Sequence, residues 1–102
     1  MLHHIVLMDP NGKDGLDQVK AAMPFLAKAC AELSGASGFR HGPNLDFEGK
    51  SARYAYGFAV TFTDREAHLA YERHPDHQTA GAMLVANSKG GHDGIFVVDL
   101  EV

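Results

Sequence analysis

Seven histidines, at positions 3, 4, 41, 68, 74, 77 and 92, are spread through a chain of 102 residues. The densest polar cluster is His74-Pro75-Asp76-His77, and Tyr71 precedes it by three residues. Pro75 suits the first position of a helix. The partial positive charge of a helix N-terminus disfavours imidazolium, so this placement favours a neutral His77 at pH 7. A neutral imidazole is what a general base must be. Tyr71 could orient that base or hydrogen-bond a substrate oxygen. The competing reading is structural: His74 caps a helix or ends the previous one, Asp76 complements the dipole, and Tyr71 is a core residue with a wet hydroxyl.

The other candidates follow from alternation. His3 shares one side of a strand with Ile5 and Leu7 and could line the same cavity as His77, while His4 points the other way, toward a partner sheet. His68 reads as a solvated helix position and His92 as a loop residue beside Gly90-Gly91. Cys30 lies on an apolar stripe with no activating neighbour and reads as inert packing. His74 and His77 are two metal ligands at most, and a third from His3, His4 or a carboxylate has nothing to fix its geometry; no metal and no cofactor is expected. Glycine-rich phosphate loops, a Gly-x-Ser-x-Gly elbow and a Cys-x-x-Cys pair are all missing.

These side chains need elements to hold them. Residues 2 to 8 form a short apolar run ended by Asp9-Pro10-Asn11-Gly12, which predicts a strand. Leu16, Val19, Met23, Leu26, Cys30 and Leu33 recur at three- and four-residue steps, the spacing of one buried helical face. Pro24 predicts a kink or a restart within that helix. Phe39 to Leu45 can pair as a second strand, interrupted by Gly42-Pro43. Tyr54, Tyr56, Phe58, Val60 and Phe62 then alternate with Ala55, Gly57, Ala59, Thr61 and Thr63, a clear period of two. The bulky face calls for helices, and the small face would let a second sheet approach. Thr63 or Asp64 caps a helix that ends near Arg73; Pro75 opens another that Asn87 and Gly90-Gly91 end. Ile95 to Leu100 is the last strand. The order βαββαβ is the ferredoxin-like arrangement of an α+β fold, a four-stranded antiparallel sheet with helices on one face.

Composition sets the limits. The chain is 45% hydrophobic and 22% charged, as one globular domain spanning residues 1–102 would be. Nine Lys and Arg against 13 Asp and Glu give a net charge of −4, and no basic run offers a nucleic-acid footprint. No segment approaches the ~20 apolar residues of a membrane helix. The N-terminus lacks a cationic region before its short apolar run, and one cysteine permits no intrachain disulfide, so a cytoplasmic protein is expected.

His3-x-Ile5-Val6-Leu7, Val60-Thr61-Phe62, Ala70-Tyr71-x-x-His74-Pro75-Asp76-His77 and Val97-Val98-Asp99-Leu100-Glu101-Val102 together resemble the stress-responsive A/B barrel (Dabb) family. The resemblance covers nearly the whole chain, and the His-Pro-x-His element after a Tyr is its most specific part. It implies a homodimer joined through the sheet face into a dimeric α+β barrel. Most members have no assigned activity. A plant polyketide cyclase of the family is similar in its catalytic element, which implies His77 as base, Tyr71 as its partner, and His3, Ile5, Leu7, Phe58 and Val60 as pocket lining, with His74 beside them. Phe58 replaces a smaller aliphatic residue there, so the cyclase's substrate does not carry over. The resemblance thus implies proton-transfer chemistry, cyclisation or isomerisation, on a small hydrophobic carbonyl compound. The alternative is a non-catalytic, stress-related ligand-binding or structural dimer. A cofactor-free or haem-handling monooxygenase, which shares the barrel, is a third reading.

Overall fold

The computed structural model describes residues 1–102. The elements run β1 (Leu2–Met8), α1 (Gly12–Ala31), β2 (Ala36–Pro43), β3 (Tyr56–Phe62), α2 (Arg65–Arg73), α3 (Pro75–Asn87), a short 3₁₀ turn (Gly91–Gly94) and β4 (Ile95–Glu101). The four strands form one antiparallel sheet in the order β2-β3-β1-β4. This is the expected ferredoxin-like α+β fold, with the second helical region divided at Pro75.

Alternation decides which side chains meet the helices. Tyr56, Phe58, Val60 and Phe62 are buried beneath them, together with Val6 and Met8 of the neighbouring strand. Val19, Met23, Leu26 and Cys30 of α1 complete the core, as their spacing predicts. Pro24 does not restart the helix: α1 is continuous over Gly12–Ala31, with Pro24 exposed on its outer side. The second strand begins earlier than expected, at Ala36, and the register with β3 shifts between Ser37 and Arg40. Such a shift is how a sheet edge accommodates an extra residue.

The opposite sheet face carries mostly small or apolar groups, with His3 and Arg40 among them. Gly57 is packed so closely that a Cβ there would lie 2.6 Å from the Leu7 side chain and 2.9 Å from the Val6 carbonyl. Ile5 pairs with Ala59 on one side and Val98 on the other, while Leu7 pairs with Phe96. Phe96 and Leu100 are about half exposed, at 48% and 49%. No helix is long and apolar enough to cross a membrane.

Candidate functional site

The two helices after β3 are set by local chemistry. Asp64 caps α2, its Oδ1 accepting from the Ala67 amide at 2.9 Å. His74 closes α2 and opens α3: its Nδ1 accepts from the Asp76 amide at 3.0 Å, and Pro75 stands at the first helical position. With Nδ1 an acceptor, Nε2 carries the proton and donates to Glu32 Oε1 at 2.7 Å. Both nitrogens of His74 are therefore engaged in joining α3 to α1, and the ring is not among the cavity walls described next. Its expected place in the pocket gives way to the capping role.

A cavity of about 370 Å³ opens between the sheet and helices α2 and α3, walled in part by His4, Phe58, His68, Glu72, His77 and Asp99. Leu84, Val85, Ile95 and Val97 supply apolar wall, and Gly81 and His92 also border it. Tyr71 lies behind His77. It is fully buried, and the two rings meet edge-on with centroids 4.5 Å apart. Neither the Tyr71 hydroxyl nor His77 Nδ1 has a hydrogen-bond partner, although both atoms are buried. Such orphaned groups cost roughly 1–3 kcal/mol each.

Burial lowers the pKa of His77 below the ordinary imidazole value, opposed by the Glu72 carboxylate and carbonyl and reinforced by His4 and His68. Burial likewise lowers His68, and the neighbouring His4 adds to the shift while Glu72 and Asp99 oppose it. The Tyr71 hydroxyl is pushed upward by burial, so it is a donor and not a phenolate. Burial raises the Cys30 thiol to about 11, as inert packing requires.

Of the residues singled out from sequence, the structure brings Tyr71, His77 and Phe58 together. Val60 is buried in the core beside them without bordering the cavity. His3, Ile5 and Leu7 lie on the other face of the sheet, because β1 presents His4, Val6 and Met8 to the helices. His4 thus faces the cavity and not a partner sheet, and His68, read as solvated, is only 5% exposed. His4 Nδ1 lies 2.5 Å from Asp99 Oδ1, its register partner on β4. Arg65 donates to His68 Nδ1 at 2.6 Å, which leaves His68 Nε2 protonated and 3.2 Å from Glu72 Oε1. Arg65, His68 and Glu72 recur at three- and four-residue spacing, a signal of one helical stripe. Asp99 stands out as an acid that interrupts the apolar run from Ile95 to Leu100.

The model of the stress-responsive A/B barrel domain matches residues 2–102. A dimeric ferredoxin-like protein of unknown function from Jannaschia sp. is 54% identical, covers 99% of this chain and 98% of its own, and superposes with a TM-score of 0.95. A Dabb-family protein with a ferredoxin-like fold from Mesorhizobium loti is 19% identical over 99% and 95% of the two chains, with a TM-score of 0.73. A hydroxynitrile lyase from Passiflora edulis shares the fold at 14% identity, covering 99% and 92%, with a TM-score of 0.75. Among curated proteins none matches. With the family model matching from Leu2 to Val102, the chain belongs to the stress-responsive A/B barrel domain family.

Proposed function

We propose that this protein is a homodimer that binds a small hydrophobic carbonyl compound in the cavity beside His77 and moves a proton on it. The observation that carries this reading is the pair of buried, unpartnered polar atoms, the Tyr71 hydroxyl and His77 Nδ1, on rings in contact. A bound oxygen-bearing molecule would meet the His77 ring, which borders the cavity, and a small turn of that ring would give its nitrogen a partner. His77, held neutral by burial, takes a proton from the carbon next to the carbonyl. Tyr71, packed edge-on behind His77 and outside the cavity wall, holds the imidazole ring in position. Return of the proton at another carbon gives an isomer; attack of the enolate carbon on a second carbonyl of the same molecule gives a ring. The wall of Leu84, Val85, Ile95 and Val97 suits an apolar substrate body.

The partner surface in this reading is the open sheet face of Ile5, Leu7, Ala59, Phe96 and Leu100, where small residues permit close approach and half-exposed apolar ones gain burial. The Jannaschia relative is dimeric, which supports self-association. Replacing His77 by Gln tests the reading. Loss of turnover with ligand affinity nearly intact supports it; unchanged turnover overturns it. The non-catalytic dimer is the second reading, favoured by the His74 cap, which gives the His-Pro-x-His element a structural use on its own.

A further inference from the structure

We infer that His4, His68 and Asp99 form a site for one divalent transition-metal ion such as zinc. They come from β1, α2 and β4, and one nitrogen or carboxylate oxygen from each lies within 4.8 Å of the others. Two of the three are fixed by sheet register, because His4 and Asp99 are paired across β1 and β4. The third is carried in by α2, which sets the His68 ring 4.9 Å from that of His4. Both imidazoles are buried, at 6% and 5% exposure, while Asp99 is exposed and marks the way in.

The donor chemistry selects the ion. Two imidazole nitrogens and one carboxylate oxygen are the three-ligand set of zinc sites that keep a fourth position open. Imidazole suits zinc, cobalt, nickel and copper, whereas magnesium and calcium take oxygen ligands. Zinc holds such donors at ~2.0–2.2 Å, so on binding the three side chains draw in from their present spacing of up to 4.8 Å. The ion takes the place of the proton between His4 Nδ1 and Asp99 Oδ1; that proton moves to His4 Nε2, or to solvent where Nε2 already carries one. His68 presents its unprotonated Nδ1 to the ion once the Arg65 guanidinium, which now donates to it, swings away into the cavity. Asp99 and Glu72 are two carboxylates against the single guanidinium of Arg65 in this cavity wall, a balance that favours a cation. The open fourth position faces the cavity that all three ligands border. The inference stands on these three side chains and does not depend on the role of His77.

A second cluster, Glu32, His74 and Asp76, also brings donors together. That cluster has a single imidazole, whose Nδ1 is held by the backbone amide it caps and whose Nε2 meets Glu32, so it serves as the control. The test is a titration of the chelator-treated full-length protein with Co²⁺, followed by visible absorption, and with Zn²⁺, followed by calorimetry. The expected result is one ion per chain with the absorption bands of nitrogen-ligated cobalt. Asp99→Asn should weaken binding by at least ~10-fold and Glu32→Gln should leave it unchanged. His68→Gln gives the same loss; where it lowers the folded fraction, the exposed Asp99→Asn variant decides alone. Absence of saturable binding overturns the site, and so does binding that Glu32→Gln removes or that Asp99→Asn leaves intact. Because the readout is metal binding, it is separate from any failure of the proton-transfer reading.

Discussion

The Tyr71 and His77 rings touch edge-on with centroids 4.5 Å apart, yet the hydroxyl of one and Nδ1 of the other are both buried without a hydrogen bond. Core packing alone would select phenylalanine at position 71, since an unpaired hydroxyl lowers stability. Tyr71→Phe should therefore raise the unfolding free energy, or leave it unchanged, by up to about 1 kcal/mol, while lowering turnover. Denaturant unfolding checks the first half and an assay the second. A loss of stability above about 1 kcal/mol would mean that the hydroxyl is paired within the protein.

The depressed pKa of His77 has a signed consequence for the metal-free protein. Its folded value lies below the ordinary imidazole value of 6.5, with His4 of β1 and Glu72 and His68 of α2 as the facing groups. Between those two values the unfolded chain binds more protons, so stability is held above pH 6.5 and falls as pH drops through the window. His68, shifted the same way, adds to the loss. Thermal melts from pH 7.5 to 5 check this, and His77→Gln should flatten part of the slope. A profile as steep in the variant as in the parent would remove His77 from the account.

His74 predicts a stability effect without a pocket effect. Its Nδ1 caps α3 and its Nε2 reaches Glu32. His74→Ala should cost about 1 kcal/mol, the usual loss for an N-cap. Ligand affinity in the cavity should stay within about twofold. Thermal unfolding and a binding isotherm measure the two. A large loss of affinity at unchanged stability would return His74 to the pocket.

Much of this was legible in the sequence, and the failures have identifiable causes. The strict alternation from Tyr54 to Phe62 placed β3 with its bulky face inward, because only one of its faces is large. β1 has no such asymmetry: Ile5 and Leu7 are as apolar as Val6 and Met8, since this central strand is covered on one side by helices and carries an apolar open face on the other. Parity therefore could not tell His3 from His4, and a one-residue choice exchanged the whole set. His68 is hard to place from sequence because Arg65 and Glu72, on the same helical stripe, are charged. They are instead the polar partners that satisfy a buried imidazole. Pro24 left α1 unbroken because it sits on the exposed side, where a missing donor faces water.

The sheet face offers a test of assembly. Ala59 lies on the open side between Ile5 and Arg40. Ala59→Arg places a charge in the middle of the proposed contact and should give a monomer or an aggregate by light scattering. Gly57→Ala on the same strand should destabilise the fold by roughly 1–3 kcal/mol, because its Cβ would lie 2.9 Å from the Val6 carbonyl. A stable wild-type-like dimer with Arg at position 59 would move the interface elsewhere.

The most direct measurement of the central claim is hydrogen–deuterium exchange at the α-carbon of a panel of small hydrophobic ketones in D₂O, followed by proton NMR. It reads proton removal whatever the later steps of the reaction are. Wild-type protein should accelerate exchange for at least one ketone, and His77→Gln should lower that rate by about 10²- to 10⁴-fold while the compound still binds. Exchange no faster than in buffer, or equal in the two proteins, would contradict a base at His77.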